Sequence, residues 1–93
     1  MNKLDALAIR VALNALPLWR RKKSVITRTF EFADFPAAMR FVQRAGRSAE
    51  KANHHPDIDI RWNKVTLALT THDAGGLTEK DFALAARLDQ LEG

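Results

Sequence analysis

Three histidines, His54, His55 and His72, are the residues of this 93-residue chain that could exchange protons near neutral pH. Two are adjacent and precede a proline in EKANHHPDIDIRWNKV (residues 50–65). The third lies in LTTHDAGGLTEKD (residues 69–81). Glu50 lies one helical turn before His54, Asp73 follows His72, and Asp81 stands just beyond the Gly75-Gly76 loop. Such a set suits three roles. A pair of imidazoles can take one proton and give another at neutral pH. Three histidines with an open position also form a catalytic zinc pattern. Loops at strand ends, finally, collect surface polar residues that do no chemistry. Adjacent side chains point apart, and no H-x-x-x-H or H-x-H pair supplies convergent ligands, so spacing by itself leaves all three open. Asp81 is explained by a helix-capping role alone. Trp19 and Trp62 can be core residues or can wall an aromatic ligand.

The elements that must position these residues are legible. Leu4, Leu7, Ala8, Val11 and Ala15 recur at helical spacing over residues 2–16, with Ile9, Leu13 and Leu16 as a second stripe, and Pro17 ends the run. Ser24 to Phe32 alternates, is rich in β-branched and aromatic residues and predicts a strand, paired with a short one near Leu18–Lys22. A second helix opens at Asp34 as N-cap with Pro36 in its first turn. Its apolar stripe is Ala38, Phe41, Val42, Ala45, Ala49 and Ala52, and it must stop before His55, since Pro56 disfavours helical dihedrals there. Ile58 to Trp62 and Val65 to Leu69 alternate as two strands, joined by a tight turn at Asn63-Lys64. Pairing about that turn sets His55 opposite His72, at the end of the fourth strand, and gathers the imidazoles at one end of the sheet. After Gly75-Gly76, Thr78 is an N-cap, Asp81 stands at the capping-box position and Leu77 with Phe82 has staple spacing. Leu84, Ala85, Leu88 and Leu91 complete that helix's inner face.

The order α-β-β-α-β-β-α predicts an α+β fold: a four-stranded antiparallel sheet with three helices packed on one face, in a single domain over 1–93. An apolar fraction of 46% with 28% charged residues is that of a folded globular chain rather than a disordered one. The absence of cysteine excludes disulfides and thiolate chemistry. No apolar run reaches the roughly 20 residues of a membrane helix. No basic segment leads into an apolar one at the N-terminus, so a cytoplasmic protein is expected. Net charge is +4, concentrated in the first half around Arg20, Arg21, Lys22 and Lys23. With no aromatic residue interleaved to stack bases, that cluster does not predict direct nucleic-acid binding.

Taken together, Glu50-x3-His54-His55-Pro56-x5-Trp62-x9-His72-x8-Asp81 resembles the pterin-4a-carbinolamine dehydratase family. ITRTFEFADFPAAMRFV looks like that family's strand-to-helix segment. Leu18 departs from the glycine that usually precedes the tryptophan at Trp19, and Ala74-Gly75 departs from the Cys-Ala of some animal members. The resemblance implies a metal-free, cofactor-free dehydratase. It would convert 4a-hydroxytetrahydrobiopterin, left by an aromatic amino-acid hydroxylase, to quinonoid dihydrobiopterin and water. It implies His54, His55 and His72 as the catalytic histidines. Glu50, Pro56, Thr71, Asp73 and Ala74 would bind the pterin, with Asp81, Trp62 and Trp19 supporting. It also implies a homodimer or homotetramer. Two further roles known on this fold are a dimerisation cofactor for a transcription factor, using an apolar stripe on the first helix such as Ile9, Leu13 and Leu16, and an assembly factor without activity.

Overall fold

The computed structural model describes residues 2–91. Met1, Glu92 and Gly93, the ends of the predicted domain, lie outside the described residues. Helix α1 runs Ala6–Asn14, followed by strands β1 (Arg20–Lys22) and β2 (Val25–Glu31), helix α2 (Phe35–Ala52), strands β3 (Asp57–Arg61) and β4 (Lys64–Leu69), and helix α3 (Glu79–Gln90). A single turn of 3-10 helix, His72–Ala74, precedes α3. The four strands form one antiparallel sheet in the order β1-β2-β4-β3, with the three helices on one face, as the alternation predicts.

The core follows from two periodicities meeting. Ile26 and Phe30 on β2, and Val65, Leu67 and Leu69 on β4, project from one sheet face and are wholly buried. Ala38, Phe41, Ala45 and Ala49 form the facing stripe of α2, and the small alanines let this helix lie close to the sheet. Val42 is half-buried, and Ala52, at the end of the predicted stripe, is exposed. Phe41 packs against Phe30 and Phe32 at centroid distances of 4.6 and 5.0 Å. Arg28 interrupts the apolar row of β2. Its guanidinium lies 4.0 Å over the Phe30 ring and pairs with Asp89 of α3, which also accepts the Trp19 indole N–H at 2.8 Å.

Three expectations are corrected. Helix α1 is shorter than predicted: Asp5 caps it by accepting the Ala8 N–H at 2.8 Å, and it ends at Asn14, before Pro17. Its two stripes are also exchanged. Ile9 and Leu16 are buried with Leu13 partly so, while Leu7 and Val11 are 67% and 62% exposed. Periodicity defines two apolar faces on such a helix but does not say which meets the core. The β3–β4 turn is Trp62-Asn63 rather than Asn63-Lys64, so Arg61 pairs with Lys64 and Asp57 with Ala68. The reason lies in Asn63, whose side-chain amide donates to the Phe32 carbonyl at 2.8 Å while its own carbonyl accepts the Phe32 N–H at 2.9 Å. Held in this way, Asn63 leaves the positive φ of 51° to Trp62.

The same shift moves the register by two residues. Continued past Asp57, it sets Thr70, not His72, opposite His55, and His72 falls beyond the strand in the 3-10 turn. Among the described residues, no helix is long and apolar enough to cross a membrane.

Candidate active site

Local signals at three chain breaks build the site. Helix α2 ends where Asn53 adopts the left-handed conformation (φ 51°, ψ 42°), its N–H closing on Ala49 and Glu50 carbonyls. The chain then reverses and presents His54 and His55 before Pro56 starts it into β3. After β4, Thr71 and Gly76 bridge across a tight loop, with N–H to carbonyl distances of 3.2 and 3.3 Å in the two directions. Gly75 supplies the left-handed residue (φ 77°) that the loop requires. That loop carries His72 and Asp73. Thr78 then caps α3 with Asp81 completing a reciprocal capping box.

Asp81 joins the three pieces. It is fully buried, and its Oδ2 accepts from the Thr78 N–H at 2.9 Å and the Thr71 hydroxyl at 2.8 Å. Its Oδ1 lies 2.5 Å from His54 Nε2. A carboxylate accepting from a backbone amide and a hydroxyl acts as acceptor toward the imidazole as well. His54 Nε2 therefore carries a hydrogen toward Asp81, and in the neutral imidazole Nδ1 is the edge with the lone pair. No buried side-chain nitrogen or oxygen of the described residues lacks a partner, so Nδ1, which makes no hydrogen bond, has access to solvent. The His54 ring thus has one edge fixed by Asp81 and the other without a hydrogen-bond partner. His55 Nε2 meets Glu50 Oε1 at 2.7 Å, but both side chains are largely exposed (60% and 80%). That contact orients the ring more weakly than the buried one.

The imidazoles share one opening. A cleft of about 360 Å³ is lined by Asn53, His54, His55, Thr70, Thr71, His72, Asp73 and Lys80. Of the expected site residues, His54, His55, His72, Thr71 and Asp73 therefore come together. Glu50 stands behind His55 rather than in the wall, and Asp81 stands behind His54 and Thr71. Pro56 is half-buried just outside the cleft and sets the direction of β3; Ala74 closes the 3-10 turn through its N–H to the Thr71 carbonyl. The two tryptophans lie elsewhere. Trp62 is 66% exposed at the β3–β4 turn, five residues and about 17 Å along the strand from Asp57. Trp19 is buried against Phe30 and Asp89. Neither reaches the cleft within one chain. Among the described residues, no group of three His, Asp or Glu side chains could hold a metal ion.

Asn53, Thr70 and Lys80 are wall residues that the sequence reading missed. Asn53 carries a usable signal, since an asparagine two residues ahead of an X-Pro step is a natural left-handed helix end. Thr70 becomes visible only with the correct register, and Lys80 only when α3 is docked beside His54.

This arrangement has close counterparts. Residues 2–91 match the family model described as pterin 4 alpha carbinolamine dehydratase. A protein of Chloroflexus aurantiacus whose name assigns it provisionally as a pterin-4-alpha-carbinolamine dehydratase is 56% identical over 93 residues, covering all of both chains. One from Acidobacterium capsulatum with the same provisional name is 55% identical over 91 residues, 98% of this chain and 99% of its own. Among solved structures, a transcriptional coactivator/pterin dehydratase from Brucella melitensis superposes with a TM-score of 0.94 at 36% identity. It covers 99% of this chain and 100% of that one. A pterin dehydratase-like protein identified as a RuBisCO assembly factor in the alpha-carboxysome gives 0.67 at 25% identity, over 81% of this chain and 87% of its own. With its full-length match and its histidine cleft, the chain belongs to the pterin-4-alpha-carbinolamine dehydratase family.

Proposed function

We propose that the protein is a 4a-hydroxytetrahydropterin dehydratase working by histidine general acid/base catalysis, with 4a-hydroxytetrahydrobiopterin as substrate and a role in recycling tetrahydrobiopterin. The observation that carries this reading is the convergence of three imidazoles on one cleft, one of them held by a buried carboxylate. In the reaction a base removes the N5 proton, the C4a–O bond breaks, and an acid protonates the departing hydroxyl. An N5=C4a double bond and water result, with no change in oxidation state. One proton is taken and one returned, so the enzyme is restored after each turnover. His54 and His55 carry the proton transfers, and His72, from the opposite loop, binds and completes them. Asp81 keeps the His54 hydrogen on Nε2 and stabilises the imidazolium formed on protonation. Glu50 does the same, more loosely, for His55. Thr71 and Asp73 provide polar contacts for the pterin ring, and Pro56 and Ala74 hold the two segments that carry them. No metal or organic cofactor enters these steps.

Stopped-flow measurement of 4a-hydroxytetrahydropterin dehydration, with and without chelator, tests the reading. Acceleration that survives the chelator supports it. A folded protein that gives none would overturn it.

A binding role is favoured by a separate observation. Leu7 and Val11 are exposed on α1 and, with Ala8, Ala12 and Phe82, edge an apolar groove of about 550 Å³. An amphipathic partner helix is the natural occupant of such a groove. The coactivator and assembly-factor descriptions of the two structural neighbours are consistent with that.

Self-association is proposed through β3. The sheet's other edge, β1, is three exposed basic residues and protects itself. The β3 edge carries Ile58 and Ile60 on the helix side of the sheet, opposite Leu67 and Val65, with Ile58 41% exposed. A twofold antiparallel pairing centred on Ile60 would bring Ile58 against the partner's Trp62 and Asp59 against the partner's Arg61. Both the apolar and the charged residues are then self-complementary.

A further inference from the structure

The cleft does not end at the histidines. His54 and Lys80 also border a second opening of about 370 Å³ between α2 and α3, lined besides by Ser48, Lys51, Ala52, Ala83, Leu84 and Arg87. Its walls are facing helical stripes. Ser48, Lys51 and Ala52 follow the i, i+3, i+4 spacing on α2, and Lys80, Ala83, Leu84 and Arg87 extend it by a further turn on α3. The floor is apolar and the rim is cationic. No carboxylate lines the groove, and none of Lys51, Lys80 and Arg87 has an anionic partner among the described residues. Three cations without acidic partners thus line one opening. Like charges gathered around one groove repel one another, a cost that an anion relieves.

We infer that this groove receives an anionic substituent, a phosphate or carboxylate carried on the pterin's side chain, while the ring occupies the histidine cleft. The inference rests on the pterin reading of that cleft and keeps its dehydration chemistry, but it makes a pterin with an anionic side chain a better ligand than biopterin, whose side chain is neutral. Lys80, which borders both openings, stands where ring and side chain would meet. Lys51 and Arg87 lie farther along the groove, and the planar Arg87 fork suits two oxygens of one phosphate. A phosphate monoester with about 1.5 to 2 negative charges would gain more from the three cations than a neutral hydroxylated side chain.

Fluorescence titration of the full chain with neopterin and with its phosphate monoester tests this, since neither oxidised pterin can be dehydrated. The phosphorylated compound is expected to bind about five- to tenfold tighter at low salt, the combined effect of a few exposed charge pairs. That ratio should approach unity near 1 M salt, where the Debye length is about 3 Å. Replacing both Lys51→Ala and Arg87→Ala should abolish the preference while leaving neopterin affinity unchanged. The charge-conserving Lys51→Arg with Arg87→Lys should retain most of it. Equal binding of the two pterins by the wild-type chain overturns the inference and leaves the pterin reading standing. Binding of neither overturns both. Inorganic phosphate alone binding as tightly as the phosphorylated pterin also overturns it, because the anion would then not be read as part of the substrate.

Discussion

At the scale of single residues, the division of labour proposed for the histidines follows from what lies behind each ring. His54 backs onto a buried carboxylate whose other oxygen is already committed to Thr71 and Thr78, so its orientation is imposed by the fold. His55 backs onto a solvated glutamate, and His72 has no side-chain partner among the described residues. Substituting His54→Ala or His55→Ala should each lower dehydratase turnover by the roughly 10²–10⁴-fold ascribed to one general acid or base. Circular dichroism should remain that of the folded chain; a folded variant with full turnover would remove that residue from the mechanism. Asp81→Asn keeps shape but replaces an acceptor oxygen with a donor, so it disturbs the tautomer of His54. Turnover should fall about 10- to 100-fold through kcat rather than KM, the size of effect typical of residues that orient an imidazole. Stability should fall too, by about 1–3 kcal/mol, since the helix cap is lost with it. A kcat unchanged in the face of that destabilisation would show that Asp81 caps α3 and does nothing for catalysis. In the sequence, Asp81 is explicable as a cap alone. The family resemblance implies a supporting role as well, and the convergence of Thr71 and His54, ten and twenty-seven residues before it, on the same carboxylate gives that role its geometry.

At the scale of elements, the site depends on two left-handed residues that end one segment and turn the next. Asn53 and Gly75 set where the paired histidines and His72 emerge. Gly75→Ala meets nothing within 4 Å, so its cost is the backbone alone, about 1–2 kcal/mol of unfolding free energy measured in denaturant. Asn53→Gly should be neutral, whereas Asn53→Ala should cost about 1 kcal/mol. Equal stabilities of those two variants would contradict a conformational role for the position. Helix α2, helix α3 and all four strands were legible because their cues agree: Asp34 with Pro36, Thr78 with Asp81, and alternation on every long strand. The β3–β4 turn was not, because asparagine at a hairpin usually marks the left-handed position, and here Asn63 is held by Phe32 instead while Trp62 takes the positive φ. That two-residue shift hid Thr70 from the site, yet the imidazoles still met, because the 3-10 turn brings His72 back toward the cleft. The choice of buried stripe on α1 was equally unreadable: Leu7 and Val11 are as apolar as Ile9 and Leu13, and only the docked helix distinguishes them.

At the scale of the molecule, the helices and the sheet are joined by a polar bond as well as by the core. Asp89→Ala would remove a carboxylate that pairs with the buried Arg28 and accepts the Trp19 N–H, and should cost about 1–3 kcal/mol in chemical denaturation. The loss should be global rather than confined to α3, since Arg28 sits in the central row of β2. The same view of the molecule shows a sheet finished on one side only. Three helices cover the inner faces of β2 and β4, and β1 is short and charged, but the row of Ile58 and Ile60 extends past the helices with its backbone edge unpaired. An edge of that kind is stable in solution when a second strand covers it, and the proposed pairing about Ile60 would supply one that is complementary at every position from Ile58 to Trp62. Sedimentation velocity of the wild-type chain should give at least a dimer at micromolar concentration. Ile60→Lys, which brings two like charges together at the twofold axis while leaving the monomer core untouched, should shift it to monomer. The His54–Asp81 pair lies within one chain, so the monomeric variant should keep its histidine cleft and its turnover. A wild-type chain that sediments as a monomer would refute the β3 interface. An Ile60→Lys variant that stays dimeric would do the same and direct attention to the exposed Leu7 and Val11 of α1.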